Sequence, residues 1–207
     1  ALQSIFYNAW SISSITEFDE NDEDGFIGGT YTVYSSASFL ACSLVMLFNI
    51  TIAHILYSKN FFVAWRYGPF LLLGTAFNGL GLFNGCIFAA AKKTNEISIT
   101  TVVSALINTV LNFILIPLVG AYGAAFATMI GYFSIWFMRT LRLKRVIRMN
   151  VNWKKQVLMM IVLLMQCIAA SANESFLYQL PFVLLLFVIQ RKTILIIFDK
   201  LVLLLKR

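Results

Sequence analysis

The sequence predicts an all-α, polytopic bundle of transmembrane helices, and three observations lead there. Hydrophobic residues make up 60% of the 207-residue chain, mean hydropathy is +0.83 and only 12% of residues are charged, which does not describe a water-facing surface. Long apolar runs follow one another with short polar breaks between them. The 16 Lys and Arg, which set a net charge of +7, fall in a few short segments between those runs. Membrane topology explains that distribution better than a nucleic-acid-binding face does.

Taken in order, residues 1–16 read as the end of a truncated span, with Trp10 placed as a membrane-interface aromatic. The chain opens ALQSIF without an initiator Met and is expected to be the C-terminal part of something longer. Residues 17–29 hold six acids between Glu17 and Asp24, which cannot enter lipid. They are predicted as an acidic cytoplasmic loop, helical near the membrane, serving as a plain connector or as a partner for a later basic loop.

Residues 30–139 are expected to form four spans. The first, 31–57, contains Asn49 and the only histidine, His54, near its outer end, and 58–66 (SKNFFVAWR) follows as a short external loop. The second, 67–91, places Gly74, Asn78, Gly81, Gly85 and Ala89 on one face suited to close helix contact. The third and fourth, 97–118 and 121–138, make a hairpin across PLVGAYG. The 22 uncharged residues of its first arm cover roughly 33 Å, enough for a bilayer core of roughly 30 Å. Pro117 is expected to end that arm, and Gly120 and Gly123 to allow the reversal.

Residues 140–155 are predicted as a basic cytoplasmic loop; with Arg139 they carry seven Lys or Arg and no acid. Two further spans, 156–172 and 176–190, are short, and 191–207 reads as a cytoplasmic interfacial amphipathic tail. In this topology only Lys59 and Arg66 of the 16 bases lie outside, as the positive-inside bias requires.

No predicted span contains an Asp or Glu, and no Ser/His/Asp or Cys/His arrangement suggests catalysis, so a non-enzymatic role without cofactor or metal is expected. Cys42, Cys86 and Cys167 lie singly in apolar runs and read as inert buried thiols. Thr101, Ser104, Asn108 and Asn112 form a polar stripe along the first hairpin arm, facing protein through interhelical hydrogen bonds or lining a hydrated path. Asn78 and Asn84 join them as candidate path residues, while Gly123, Ala127 and Gly131 give the second arm a flat packing face. His54, Arg66 and Arg139 are candidate contacts for an anionic head group; as single interfacial residues they also read as anchors. Arg139 in particular ends its span where snorkelling reaches the interface.

The run NGLGLFNGCIFAAAKKTNEISITTVVSALINTVLNFILIPLVGAYGAAFATMIGYFSIWFMR carries a family likeness. Its KKT turn at Lys92–Thr94, the order Asn108, Asn112, Ile116, Pro117, the GxxGAAxAT segment at Gly120–Thr128 and the closing Arg139 resemble the second lobe of polysaccharide-biosynthesis flippases of the O-antigen translocase type. These belong to the multidrug/oligosaccharidyl-lipid/polysaccharide exporter superfamily. The resemblance implies the C-terminal portion of a two-lobed transporter with 12 to 14 helices in the bacterial inner membrane. It implies flipping of undecaprenyl-diphosphate-linked oligosaccharide, with membrane lipids, a polysaccharide polymerase and a chain-length regulator as partners. The alternatives are a membrane-embedded polysaccharide polymerase or acyltransferase using His54 as base, and a cation-coupled drug exporter.

Overall fold

The computed structural model describes residues 2–57, 59–172 and 175–205, with side chains at 6–57, 61–172, 175–191 and 193–195. The described backbone is all-helical. In order come α1 (Leu2–Thr16), α2 (Phe26–Leu47), α3 (Asn49–Leu56), a 3-10 helix (Lys59–Arg66), α4 (Gly68–Ala90), α5 (Thr94–Val119), α6 (Ala121–Leu143), α7 (Trp153–Ala172), a 3-10 turn (Phe176–Tyr178) and α8 (Leu180–Leu205). Five of them, α2, α4, α5, α6 and α7, are long and apolar enough to cross a membrane, with a shorter apolar stretch at Phe176–Arg191. The fold is therefore a helical bundle of membrane-spanning character.

Several boundaries differ from the expected ones. The span over 31–57 is interrupted at Phe48, and the buried Asn49 that follows donates its amide to the Trp65 carbonyl at 2.8 Å. The expected external loop is thereby held as a 3-10 helix. Pro117 does not end α5, which runs to Val119 and stops at Gly120, whose φ of +61° suits glycine. Proline removes one amide donor, and two more residues fit before the glycine offers a cheaper exit. At the other end of the hairpin, α6 continues past Met138 to Leu143, so Arg139 and Arg142 stand on the helix itself. The helix α8 is unbroken through Arg191, so the returning span and the tail form one rod. The amphipathic reading of the tail depends on side chains at 196–207, which lie outside the described residues, as do Ala1, Ser58 and the side chain of Lys59.

The acidic segment is not helical. It is a turn built on its own carboxylates, with Asp19 accepting the backbone amides of Glu23 at 2.9 Å and Asn21 at 3.2 Å. Those bonds hold the Asp19 carboxyl below its usual range, so their contribution is present above that range and fades as pH falls through the lowered value. Asp22 reaches further. Buried and at φ +50°, it accepts the amides of Ile27 and Gly28, each at 2.9 Å, and so caps two free donors in the first turn of α2. Replacing Asp22 with Ala is expected to destabilise the protein by about 2 kcal/mol, read as a lower unfolding midpoint in detergent.

The chain divides into two compact units, one formed by residues 1–31 and 70–151, the other by 32–69 and 152–207. In the first, Trp10 is not an interface anchor. It is 3% exposed, stacks on Phe83 at 4.1 Å between centroids and donates its indole N–H to the Phe83 carbonyl at 3.2 Å. With that donor satisfied inside protein, the ring needs no water. Trp136 likewise donates to the Tyr31 hydroxyl at 2.9 Å. The acidic and basic loops do meet, through backbone: the Arg148 amide donates to the Glu20 carbonyl at 3.0 Å.

The second unit is stitched by amide–hydroxyl pairs. Gln156 donates to Ser35 at 2.6 Å, while Ser43 donates to Gln166 at 2.6 Å and receives the Gln166 amide on its carbonyl at 2.9 Å. Both partners advance together in number, so this part of α2 runs parallel to α7. Asn152 caps α7 by accepting the Lys155 amide at 3.0 Å, and the Lys155 ammonium donates to Thr193 on α8 at 2.9 Å.

Candidate functional site

The first unit contains a three-helix seam of α4, α5 and α6. Contacts between α5 and α6 fall in reverse order, Thr100 with Arg139, Ser104 with Ser134 and Leu115 with Gly123, which makes these helices an antiparallel hairpin. Contacts between α4 and α6 advance together, Gly74 with Met129, Gly81 with Ile135 and Gly85 with Arg139, so these two run parallel. The glycine face expected on 67–91 is the surface on which α6 lies. A Cβ at Gly81 would stand 2.9 Å from the Ile135 side chain, and one at Gly85 2.9 Å from Arg139 Nη1.

Arg139 is the centre of the seam. It is 4% exposed, and its guanidinium donates from Nε to Thr100 Oγ1 at 3.0 Å, from Nη1 to the Gly81 carbonyl at 2.7 Å, and from Nη2 to Thr101 Oγ1 at 3.0 Å and the Ile97 carbonyl at 3.4 Å. This overturns snorkelling as its explanation. The side chain turns inward because α6 continues one more turn, because Gly81 offers its carbonyl and because Gly85 leaves room for the flat guanidinium. Each partner is a neutral oxygen. A charge at membrane depth costs about 2.5–3.5 kcal/mol, and hydrogen bonds from a charged donor at about 1.5–3 kcal/mol each offset it.

Beside this cluster, Asn84 is buried and donates to Thr140 Oγ1 at 2.9 Å, while its Oδ1 finds no partner among the described residues. Ser104, also buried, hydrogen-bonds Ser134 at 2.9 Å and donates to the Gly131 carbonyl. The seam thus uses Ser104 in interhelical bonding, one of the two roles the sequence left open for the stripe. Gly131 packs against Asn108, and Asn112 donates to the Asn108 side chain at 3.0 Å. Asn112 and Thr109 also line an open groove of about 420 Å³ on α5 with Phe113, Ile116 and Pro117. Thr101 is exposed apart from its bond to Arg139, and Asn78 is half-buried on α4.

No family model, curated protein or solved structure matches the chain.

His54 and Arg66 lie in the second unit. His54 is exposed and lies against Phe62 with the rings tilted and their centroids 4.4 Å apart, and Arg66 is exposed with its guanidinium 5.3 Å from the Trp65 ring. The candidate residues therefore separate into those along the α4–α5–α6 seam, buried at Asn84, Ser104 and Arg139 and half-buried or exposed elsewhere, and two surface residues beside aromatic rings. Sequence reasoning missed Thr100, Ser134 and Thr140. A Thr100–Ser104 pair at spacing four was visible, but only the packing of α6 shows that Thr100 shares its direction with the stripe. Among the described residues, no group of His, Cys, Asp and Glu could hold a metal ion.

Proposed function

We propose that this chain is the C-terminal portion of a two-lobed transporter of 12 to 14 helices that flips undecaprenyl-diphosphate-linked oligosaccharide repeat units across the bacterial inner membrane. In this reading the C-terminus is cytoplasmic and a polysaccharide polymerase and chain-length regulator are partners. The observation that carries the proposal is Arg139, a buried cation held by neutral oxygens within the hairpin whose sequence resembles that family. A flippase needs polar helix faces for sugar and diphosphate, small residues that let helices shift, and no covalent chemistry. The Asn108–Asn112 chain beside Thr109 offers amides and a hydroxyl next to an open apolar groove on α5 that suits a prenyl chain.

The test is export in cells producing the protein. Asn112→Leu with Thr109→Val is expected to accumulate cytoplasm-facing lipid-linked repeat units several-fold at normal protein level; unchanged export would overturn the assigned path. His54→Ala is expected to leave export intact, and its failure would favour the polymerase or acyltransferase reading.

A further inference from the structure

At the basic end of the hairpin, α4, α5 and α6 enclose a cavity of about 260 Å³ lined by Phe88, Lys93, Glu96, Arg142, Arg145 and Val146. Three cations face one carboxylate there. Arg142 pairs with Glu96, and among the described residues no carboxylate pairs with Lys93 or Arg145. Both of these are exposed. The Lys92–Lys93 turn presents this charge by a specific backbone device. The Lys93 amide donates to the Phe88 carbonyl at 2.8 Å and the Lys92 amide to the Ala89 carbonyl at 3.0 Å, which closes α4 with Lys92 in the left-handed region at φ +58°. A lysine there is strained by about 1–2 kcal/mol where glycine would be relaxed. The same turn starts α5, whose first turn adds positive potential of its own.

We infer that this cavity binds a phosphate-bearing head group, with Lys93, Arg142 and Arg145 as its cations and Glu96 as a competing partner for Arg142. The inference is independent of the flippase reading. Val146, half-buried at the wall, suits the first acyl carbons of an anionic phospholipid, and basic pockets between membrane helices are suited to such head groups. The same cations would also take a soluble phosphate, so the experiment has an arm for each source.

The full chain is reconstituted in phosphatidylcholine alone or mixed with phosphatidylglycerol, and retained lipid is measured by native mass spectrometry; inorganic phosphate binding is followed separately by phosphorus-31 line width. Lys93→Gln with Arg145→Gln is expected to weaken phosphatidylglycerol retention about 30-fold, since each basic residue contributes about fivefold. Arg148→Gln with Lys154→Gln, which removes equal charge outside the cavity, should leave retention unchanged. Glu96→Gln frees Arg142 and should tighten binding about two- to fivefold, a gain that a misfolded variant would not give. Loss of inorganic phosphate binding alone in the Lys93/Arg145 variant supports the site with a soluble occupant. Equal losses in the two double variants, no dependence on either, or weaker binding in Glu96→Gln overturns it.

Discussion

Arg139→Lys is expected to destabilise the protein by about 3 kcal/mol, whereas Arg139→Met should stay within about 1 kcal/mol of the parent. The guanidinium spans two helices, reaching the Gly81 carbonyl on α4 and Thr100 and Thr101 on α5 from three different nitrogens. A lysine ammonium keeps the charge, and with it the cost of burial, but donates from a single atom on a shorter reach. It loses at least one side of the span. Methionine removes both the bonds and the charge, and the two threonine hydroxyls keep hydrogen bonds of their own. Thr100 still donates to Glu96 and Ile97 carbonyls at 2.7 and 3.0 Å, and Thr101 to Ile97 at 2.8 Å. Unfolding midpoints in detergent decide the matter: a Met variant that unfolds while the Lys variant matches the parent would show that the charge itself holds the seam. If Arg139 also serves transport, the Met variant should be folded yet fail to export.

Gly123→Ala should cost about 3 kcal/mol, because its new Cβ would stand 2.5 Å from the Leu115 carbonyl oxygen and 2.7 Å from the carbonyl carbon. Those are backbone atoms of α5 two residues before Pro117, and they can move only if the hairpin opens at its reversal. Gly29→Ala gives the opposite expectation. A Cβ there meets nothing within 4 Å on a helical backbone, so stability should rise by up to about 1 kcal/mol. Measuring both midpoints under one set of conditions tests the close packing of α5 on α6; an unchanged Gly123→Ala variant would contradict it.

The membrane class of the protein, the succession of apolar helices and the reversal at Gly120 were all legible in the residues. Hydropathy, helix length and the backbone habits of proline and glycine are local properties that act wherever the segment lies. The sequence also marked the Gly74–Gly85 line and the Thr101–Asn108 part of the stripe, which meet α6, because a period near four residues is itself local. What those faces touch depends on how the helices pack. Trp10 looks like an interface anchor until Phe83 supplies its carbonyl, and Arg139 looks like a snorkelling end until α4 offers Gly81 and makes room at Gly85. The break at Phe48 and the capping of α2 by Asp22 depend in the same way on groups reached across a turn or a bend. Inside an apolar bundle a polar group goes wherever an oxygen or nitrogen waits for it, and that partner stands 16 residues away for Asn49, 58 for Arg139 and 73 for Trp10.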